Sequence, residues 1–251
     1  MDKRALKAKE VCVGTFHKTN SCGICEVVDY HNSKKIFVKF LGYDNIVKCD
    51  LGNLRKGNVL NPLYPTFKGV GFLGIGAYKF TYLGLGSLWR SMILRCNLDN
   101  YQNRYETYEN VSVCKDWLCF QNFAEWCVEQ KGFNCEDTNG RKFQLDKDLL
   151  KPENKVYSPE ACRFVPNEIN CFFHRGVGKK VNSMRGFRKV KSGKYQVRVG
   201  SDYLGTFDTK DEAKQVYQLE KLSRLDKLLL KYENDLASDL VEKLRNIEEI
   251  N

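Results

Sequence analysis

The chain has 251 residues, and its 42% hydrophobic content is enough to bury a sizeable core in one to three compact units. The formal net charge is +10, but 12% aromatic residues and only five prolines argue against a disordered basic chain. No stretch approaches the roughly 18 to 20 consecutive apolar residues of a membrane span, and residues 1–10 lack the apolar core of a secretory signal, which predicts a cytoplasmic, globular protein with no membrane partner.

Two β-rich runs open the chain. Residues 24–30 and 35–41 are rich in β-branched and aromatic residues, and residues 31–34 between them are typical of a hairpin connection. The glycine-dense stretch 68–86 lacks a Gly-Lys-Ser/Thr ending, so tight turns and close backbone packing are favoured over a phosphate-cradling loop. Residues 1–85 are predicted to form a small β-rich domain with a glycine-rich connector.

Helical spacing begins near Ser87 and returns near Phe120. The residues that share predicted helix faces are Leu88, Met92, Cys96, Phe120, Phe123, Ala124 and Cys127. An aromatic series at helical spacing comprises Trp117, Phe120, Phe123 and Trp126. We interpret this series as core, with base stacking as the less favoured alternative.

The eleven cysteines are odd in number and spread from Cys12 to Cys171, which indicates reduced thiols and not a disulfide scaffold. Two sets have residue types that could bind zinc: His17, Cys22, Cys25 and His31, and Cys96, Cys114, Cys119 and Cys127. Their spacing matches no standard finger, and the second set lies among apolar neighbours. Small hydrophobic thiols are therefore favoured, with zinc as the alternative cofactor.

A strand over 142–146, a turn over 152–155 and a helix beginning near Pro166 form the next predicted unit. Three strands follow, near 187–190, 194–199 and 203–207, before a helix with a capping box at Thr209 and Glu212. The leucine seam of this last helix includes Leu222, Leu225, Leu229, Tyr232 and Leu236. The seam packs either on the domain or on a second copy in a homodimer.

Positive charge is concentrated between Ile169 and Ser201, where nine basic residues occur with no acidic residue. Within 194–199 the side chains alternate, so Tyr195, Val197 and Val199 face one way and Lys194, Gln196 and Arg198 the other. The first face packs on the helix through Ala213, Val216 and Tyr217. The second face then presents a basic row to phosphates and base edges, which favours nucleic acid as the partner.

This region resembles the AP2 integrase-type DNA-binding domain over roughly residues 185–224. The resemblance rests on Gly-Phe-Arg-x-Val, Lys-Tyr-x-Val-x-Val and Tyr-Leu-Gly-Thr-Phe-Asp-Thr-x-x-Glu-Ala, in that order. It implies that the sheet enters the major groove of double-stranded DNA. The predicted DNA contacts are Arg185, Arg188, Lys189, Lys191, Lys194, Gln196 and Arg198. Tyr195 stands where plant members have tryptophan, so no base preference carries over.

The segment from Gln144 to Asn170 is similar to HNH-type ββα-metal endonucleases. The resemblance implies that Asp146 is the metal-binding acid, Asn170 the ligand on the helix, and Asn154 the asparagine that steadies the loop. Carboxylate and amide oxygens suit Mg²⁺ or Mn²⁺, which would neutralise the scissile phosphate.

The family's histidine base is replaced by Lys147, and a lysine with an ordinary pKa is protonated at neutral pH. Three interpretations stay open: Asp148 acts as the base, a desolvated Lys147 does, or the site is a scaffold that has lost catalysis. His174 is a more distant candidate.

A wider resemblance, from about Ser21 onward, is to phage-encoded HNH homing-type endonucleases, many of which carry a C-terminal AP2-like module. It rests on Trp89-x-x-Met92-x-x-Arg95-Cys96, on the series from Val113 to Trp126, and on Leu-Asp-Lys-Asp. This resemblance implies that the lysine after the aspartate is a feature of the subgroup.

The predicted fold class is therefore α+β, with a β-rich domain over 1–85, a degenerate HNH-like unit over 86–180 and an AP2-like domain with a C-terminal helix over 181–251. The predicted function is a sequence-specific DNA endonuclease using a divalent metal in the cytoplasm of a bacterial host. The alternatives are a nuclease-inactive DNA-binding regulator and an RNA-associated or structural phage protein.

Overall fold

The computed structural model describes residues 11–97, 110–173 and 186–248, and it has mixed α+β architecture. These residues fall into two compact units. One comprises residues 11–97 and 113–125, and the other comprises residues 110–112, 126–173 and 186–248. Within the described ranges, every helix is too short or too polar to cross a membrane.

The first unit begins with a four-stranded antiparallel sheet in the order β1-β2-β3-β4. The strands are β1 (Phe16–Lys18), β2 (Ile24–Asn32), β3 (Lys35–Phe40) and β4 (Ile46–Cys49), followed by helix α1 (Leu51–Lys56). The predicted hairpin between the two β-rich runs is confirmed. One face of the sheet is closed by a core that includes Val27, Ile36, Val38, Phe40 and Leu54.

The glycine-rich segment packs tightly against the following helices, as the sequence predicted. A short 3₁₀ helix (Tyr82–Gly84) precedes α2 (Leu85–Asn97). A Cβ atom at Gly71 would lie 2.7 Å from the ring of Trp89, and one at Gly74 would lie 2.3 Å from the sulfur of Cys119. The Gln121 side chain also pairs with the backbone N–H and C=O of Tyr78. These glycines therefore serve close packing.

The aromatic series belongs to the core. A strand β5 (Ser112–Val113) and a 3₁₀ helix (Lys115–Leu118) lead into α3 (Phe120–Glu129). Trp117, Phe120 and Phe123 are buried, and the Trp89 indole N–H donates to the Trp117 carbonyl at 2.7 Å. Trp126 stacks on Phe164 with ring centroids 5.9 Å apart. The interpretation as core is confirmed.

A small ββα arrangement occupies the middle of the second unit. Strand β6 (Gln144–Asp146) pairs antiparallel with β8 (Arg163–Val165), and α4 (Asn167–Phe173) follows directly. The loop between the paired strands contains β7 (Val156–Tyr157), which pairs with β5. We call residues 144–173 the ββα cassette. Its order of elements is that of the predicted strand, turn and helix.

The last elements are β9 (Phe187–Lys189), β10 (Tyr195–Val199), β11 (Asp202–Phe207), α5 (Lys210–Tyr232) and α6 (Ser238–Arg245). The three strands form an antiparallel sheet in the order β11-β10-β9. Thr209 and Glu212 form the predicted capping box of α5. In the leucine seam, Leu225, Leu229, Tyr232 and Leu236 are buried within the chain. Of the two alternatives, packing of the seam on its own domain is therefore the one observed. A homodimer through this helix stays a prediction.

Candidate nucleic-acid interface and ββα cassette

The three-stranded sheet has one face covered by α5 and one face open. Val197 and Val199 are buried on the covered side, where α5 contributes the buried Ala213. On the open side, strand pairing aligns Arg188, Gln196 and Thr206 in one row across all three strands. Residues directly opposite one another in a sheet share a face. The open face of the sheet therefore carries a row of three polar side chains, one from each strand.

Neighbouring side chains hold this face in a defined arrangement. The Arg188 Nε–H donates to Oε1 of Gln196 at 3.0 Å. The Arg198 guanidinium lies 5.7 Å from the ring centroid of Tyr203 and donates to the Ser201 carbonyl at 3.0 Å. Hydrogen-bond donors of Arg188 and Arg198 are thus fixed in position on an exposed surface.

Tyr203 and Thr206 belong to this face although the sequence reading did not assign them to it. Their hydroxyls are 2.8 Å apart, and Tyr203 is 53% exposed. A register shift between Val197 and Arg198 brings Tyr203 opposite Arg198, with Gly205 opposite Val197. A prediction from the sequence assumes that side chains alternate regularly along β11, so it cannot detect this register shift. The glycine inside a strand motif was the signal for a bulge.

The remaining predicted DNA contacts occupy different surroundings. Lys194 forms an ion pair with Asp208 at 2.8 Å, and hydrogen bonding to that carboxylate raises the pKa of Lys194. Lys189 pairs with Tyr195 across the sheet, with its Nζ 6.0 Å from the tyrosine ring, so it lies on the helix side at the sheet edge. Lys191 is exposed in the turn between β9 and β10. Arg185 lies outside the described residues.

The acidic residue of this sheet is turned away from the open face. Asp202 lies opposite the buried Val199 and accepts from Arg224 of α5 at 2.6 Å, and this hydrogen bond holds the pKa of Asp202 below its ordinary value. Arg224 also binds Glu220 at 2.6 Å. Among the described residues of β9, β10 and β11, positive charge therefore stands on the open face without a carboxylate beside it.

In the ββα cassette, Asp146 holds the turn that follows β6. Its Oδ1 accepts the backbone N–H groups of Asp148 and Leu149, each at 2.8 Å. An aspartate that accepts from residues two and three positions later stabilises a local turn. This oxygen thus has a structural role before any ligand is considered.

Lys147 is buried and locks the same loop. It is 5% exposed, its Nζ forms an ion pair with Asp148, and it donates to the Asn154 carbonyl at 3.0 Å. The Asn154 Nδ2 in turn donates to the carbonyls of Lys147 at 3.1 Å and Val156 at 2.7 Å. The Lys147 Nζ thus already serves two oxygen acceptors of this loop, which gives the lysine a structural role.

Asn170 carries the most distinctive polar atom of the cassette. The side chain is buried, its Nδ2 donates to Oε1 of Gln144 at 2.6 Å, and its Oδ1 is buried without a hydrogen-bond partner. Gln144 and Asp146 are two residues apart on β6 and share a face, so Asn170 contacts the side of β6 to which Asp146 belongs. A buried amide oxygen without a partner fits a hard cation such as Mg²⁺ or Mn²⁺.

Asp146 and Asn170 are therefore the residues that could hold a divalent cation. In the described parts of the chain there is no group of three or more histidine, cysteine, aspartate or glutamate side chains placed to bind a metal. A cation at the cassette would then have these two oxygen ligands and keep several waters, as Mg²⁺ commonly does.

Cys22 and Cys25, the cysteines of the first proposed zinc set, are buried free thiols. Asn61 N–H donates to the Cys22 sulfur at 3.3 Å, and the Cys25 thiol donates to the His17 carbonyl at 3.6 Å. Burial raises the pKa of Cys25 and raises that of Cys49 to about 11. His31 is paired with Asp29 at 2.9 Å. These contacts support the interpretation as small buried thiols, and zinc stays the alternative.

A comparison with protein-family profiles, curated proteins and solved structures finds no match to this chain.

Proposed function

We propose that this protein binds double-stranded DNA sequence-specifically through the open face of β9, β10 and β11. The observation that carries the proposal is the aligned row of Arg188, Gln196 and Thr206, flanked by Arg198 on Tyr203. Arginine and glutamine side chains hydrogen-bond base edges in the major groove, which admits a small sheet. The AP2-like motifs of the sequence support the same orientation of the sheet on DNA.

The fixed geometry of the face favours specific recognition over general attraction to phosphates. Flexible lysines supply charge, whereas a guanidinium held by a neighbouring amide or ring has few orientations to lose on binding. Arg188 and Arg198 have such partners.

The test is selection of bound duplexes from a random-sequence pool by the full chain, followed by fluorescence anisotropy with the enriched duplex, its single strands and the matching RNA duplex. The expected result is one enriched motif and preference for the DNA duplex. Equal binding of RNA and DNA would instead support the RNA-associated alternative. Failure to enrich any motif would contradict sequence-specific binding.

Within this function, we favour a protein that binds without cutting. The contacts of the cassette loop are internal: Lys147 binds Asp148 and Asn154, and Asp146 binds two backbone amides. Lys147 and Asp148, the two candidates for general base in the cassette, thus contribute to loop structure, and His174, the distant candidate, lies outside the described residues. A protein that binds DNA without cutting it is the nuclease-inactive DNA-binding regulator named above as an alternative function.

The second candidate is the HNH-type endonuclease, and the unpartnered Asn170 Oδ1 favours it. Asp146 and Asn170 would hold the cation through oxygen atoms. A bound Mg²⁺ or Mn²⁺ would stabilise negative charge on the phosphodiester. Asp148, exposed beside Lys147, is the remaining carboxylate near the site.

Cleavage is tested by incubating supercoiled plasmids carrying the selected motif with the full chain and Mg²⁺ or Mn²⁺. Asp146→Asn keeps an oxygen acceptor for the two backbone amides but removes the charge, and Asn170→Leu removes the unpartnered oxygen. The non-cutting function predicts an intact plasmid. Nicking by the parent that both variants lose would establish the endonuclease instead, whereas nicking that survives both would contradict this metal site.

A further inference from the structure

Helix α5 is shared by the DNA-binding sheet and the ββα cassette. It runs without glycine or proline from Lys210 to Tyr232, which corresponds to a length of about 35 Å. Residues of α5 up to Arg224 pack on the sheet. Ala213 is buried, the Tyr217 ring lies 6.3 Å from that of Phe187, and Arg224 binds Asp202.

From Lys221 to its end, α5 also packs on the cassette and on Phe143, which directly precedes it. Lys231 forms an ion pair with Glu168 of α4 at 2.7 Å. Lys221 lies 3.6 Å from the ring centroid of Phe172 and donates to the carbonyl of that residue at 3.3 Å. The Tyr232 ring lies 5.7 Å from that of Phe143. The cassette is therefore docked on the same helix as the sheet, and residues 174–185 are not its sole connection to the sheet.

Helical geometry places the cassette contacts of Lys231 and Tyr232 farther along α5 than the sheet contacts, on nearly the same side of the helix. Successive residues turn by about 100°, so Lys231, five turns after Ala213, points in the same direction as Ala213, and Tyr232 points about 60° away from Tyr217. From Tyr217 to Tyr232 the helix advances about 22 Å. The cassette is consequently not hidden behind the sheet.

We propose that α5 acts as a rigid spacer that sets the ββα cassette against duplex DNA flanking the recognised bases, on one side only. Taking about 3.4 Å per base pair, 22 Å corresponds to an offset of at most about seven base pairs. The proposal rests on the proposed function, since the open face of the sheet positions the DNA. It holds whether or not the cassette cuts.

Hydroxyl-radical footprinting on the selected duplex tests the spacer. The parent is expected to protect a central region and a one-sided extension ending within about seven base pairs of it. Ser223→Gly with Lys227→Gly, both at exposed positions of α5 between the sheet contact of Tyr217 and the cassette contacts of Lys231 and Tyr232, should blur or remove the extension and keep the central region. The matched control, Ser223→Ala with Lys227→Ala, should keep both. A footprint confined to the central region in the parent, or an extension unchanged by the glycines, would overturn the spacer.

Hydrogen exchange of the full chain tests the rigid connection without DNA. Val197→Ala loosens the sheet core, and a rigid α5 predicts at least a several-fold rise in exchange at β6 and α4 as well as in the sheet. A rise restricted to the sheet would overturn the rigid connection. If the parent does not bind duplex DNA, both the proposed function and the one-sided footprint are overturned. The hydrogen-exchange result would still decide whether α5 couples the three-stranded sheet to the ββα cassette.

Discussion

Lys147 has a different role in the structure from the one that its position in the sequence suggests. In the sequence it stands where the resemblance to HNH-type endonucleases implies a histidine base, and its three-dimensional surroundings are undefined. In the fold it is buried, binds Asp148 and supports the Asn154 turn. Because Asn154 lies seven residues away and beyond a turn, no local pattern could predict that the lysine closes the loop. The loop-steadying role that the resemblance implied for Asn154 agrees with its contacts.

Replacing Lys147 should therefore affect stability more than DNA binding. Lys147→Ala removes the ammonium that Asp148 and the Asn154 carbonyl share, and we expect a loss of about 1–3 kcal/mol in the free energy of unfolding. Urea denaturation of the full chain measures this loss, with Lys151→Ala, an exposed neighbour, as the control. An unchanged midpoint for Lys147→Ala would contradict the structural role.

A second residue-scale prediction concerns acid sensitivity through Arg163 and Asp239. The Arg163 Nε–H donates to both Asp239 oxygens at 3.1 Å, and this pairing lowers the pKa of Asp239. A lowered folded-state pKa means that the stabilisation is present above the unfolded-state value, about 4, and is lost as pH falls through the folded value. Asp239 is half exposed, so screening limits the effect to about 1 kcal/mol or less.

Unfolding of the parent and Asp239→Asn at several pH values checks this sign. The parent should be the more stable at pH 7, and the difference should shrink below about pH 4. A difference that stays constant down to pH 3 would exclude this ion pair as its source.

At the scale of elements, the sequence was most informative where the determining contacts are local. The capping box of Thr209 and Glu212 spans three residues, and the alternation within β10 needs only that strand. Both predictions are confirmed. The position of Tyr203 on the open face depends on a register shift between β10 and β11. The hydrogen bond between Asn170 and Gln144 joins residues 26 positions apart. Such pairings are set by tertiary packing, so the sequence pattern could not specify them.

Gly186 gives an element-scale prediction for the sheet. Its φ is +72°, and a Cβ atom there would lie 1.9 Å from the Tyr217 ring of α5. Gly193, in the β9–β10 turn, has a φ of +85° but no neighbour within 4 Å. Gly193→Ala should cost about 1 kcal/mol from backbone strain, and Gly186→Ala at least about 2 kcal/mol because the helix must also shift. Thermal unfolding of both variants measures the difference. Equal costs would show that the Tyr217 contact does not restrict this position.

At the scale of the whole molecule, charge and architecture combine in the second unit. The basic run that the sequence places between Ile169 and Ser201 ends in a sheet whose open face carries Arg188 and Arg198, with Asp202 held on the other side by Arg224. The same unit contains the ββα cassette, and α5 packs on both. The sheet and the cassette therefore pack on one helix within the same compact unit.

The salt dependence of duplex binding tests the central claim that the open face contacts DNA. Each cation that neutralises a phosphate contributes roughly 0.9 to the slope of log affinity against log salt. If both arginines approach phosphates as well as base edges, Arg188→Ala with Arg198→Ala should weaken binding and lower this slope by up to about 1.8. Lys34→Ala with Lys48→Ala removes equal charge from exposed positions in the first unit and should leave the slope unchanged. Equal affinities and slopes for the arginine variant and the parent would contradict DNA binding by this face.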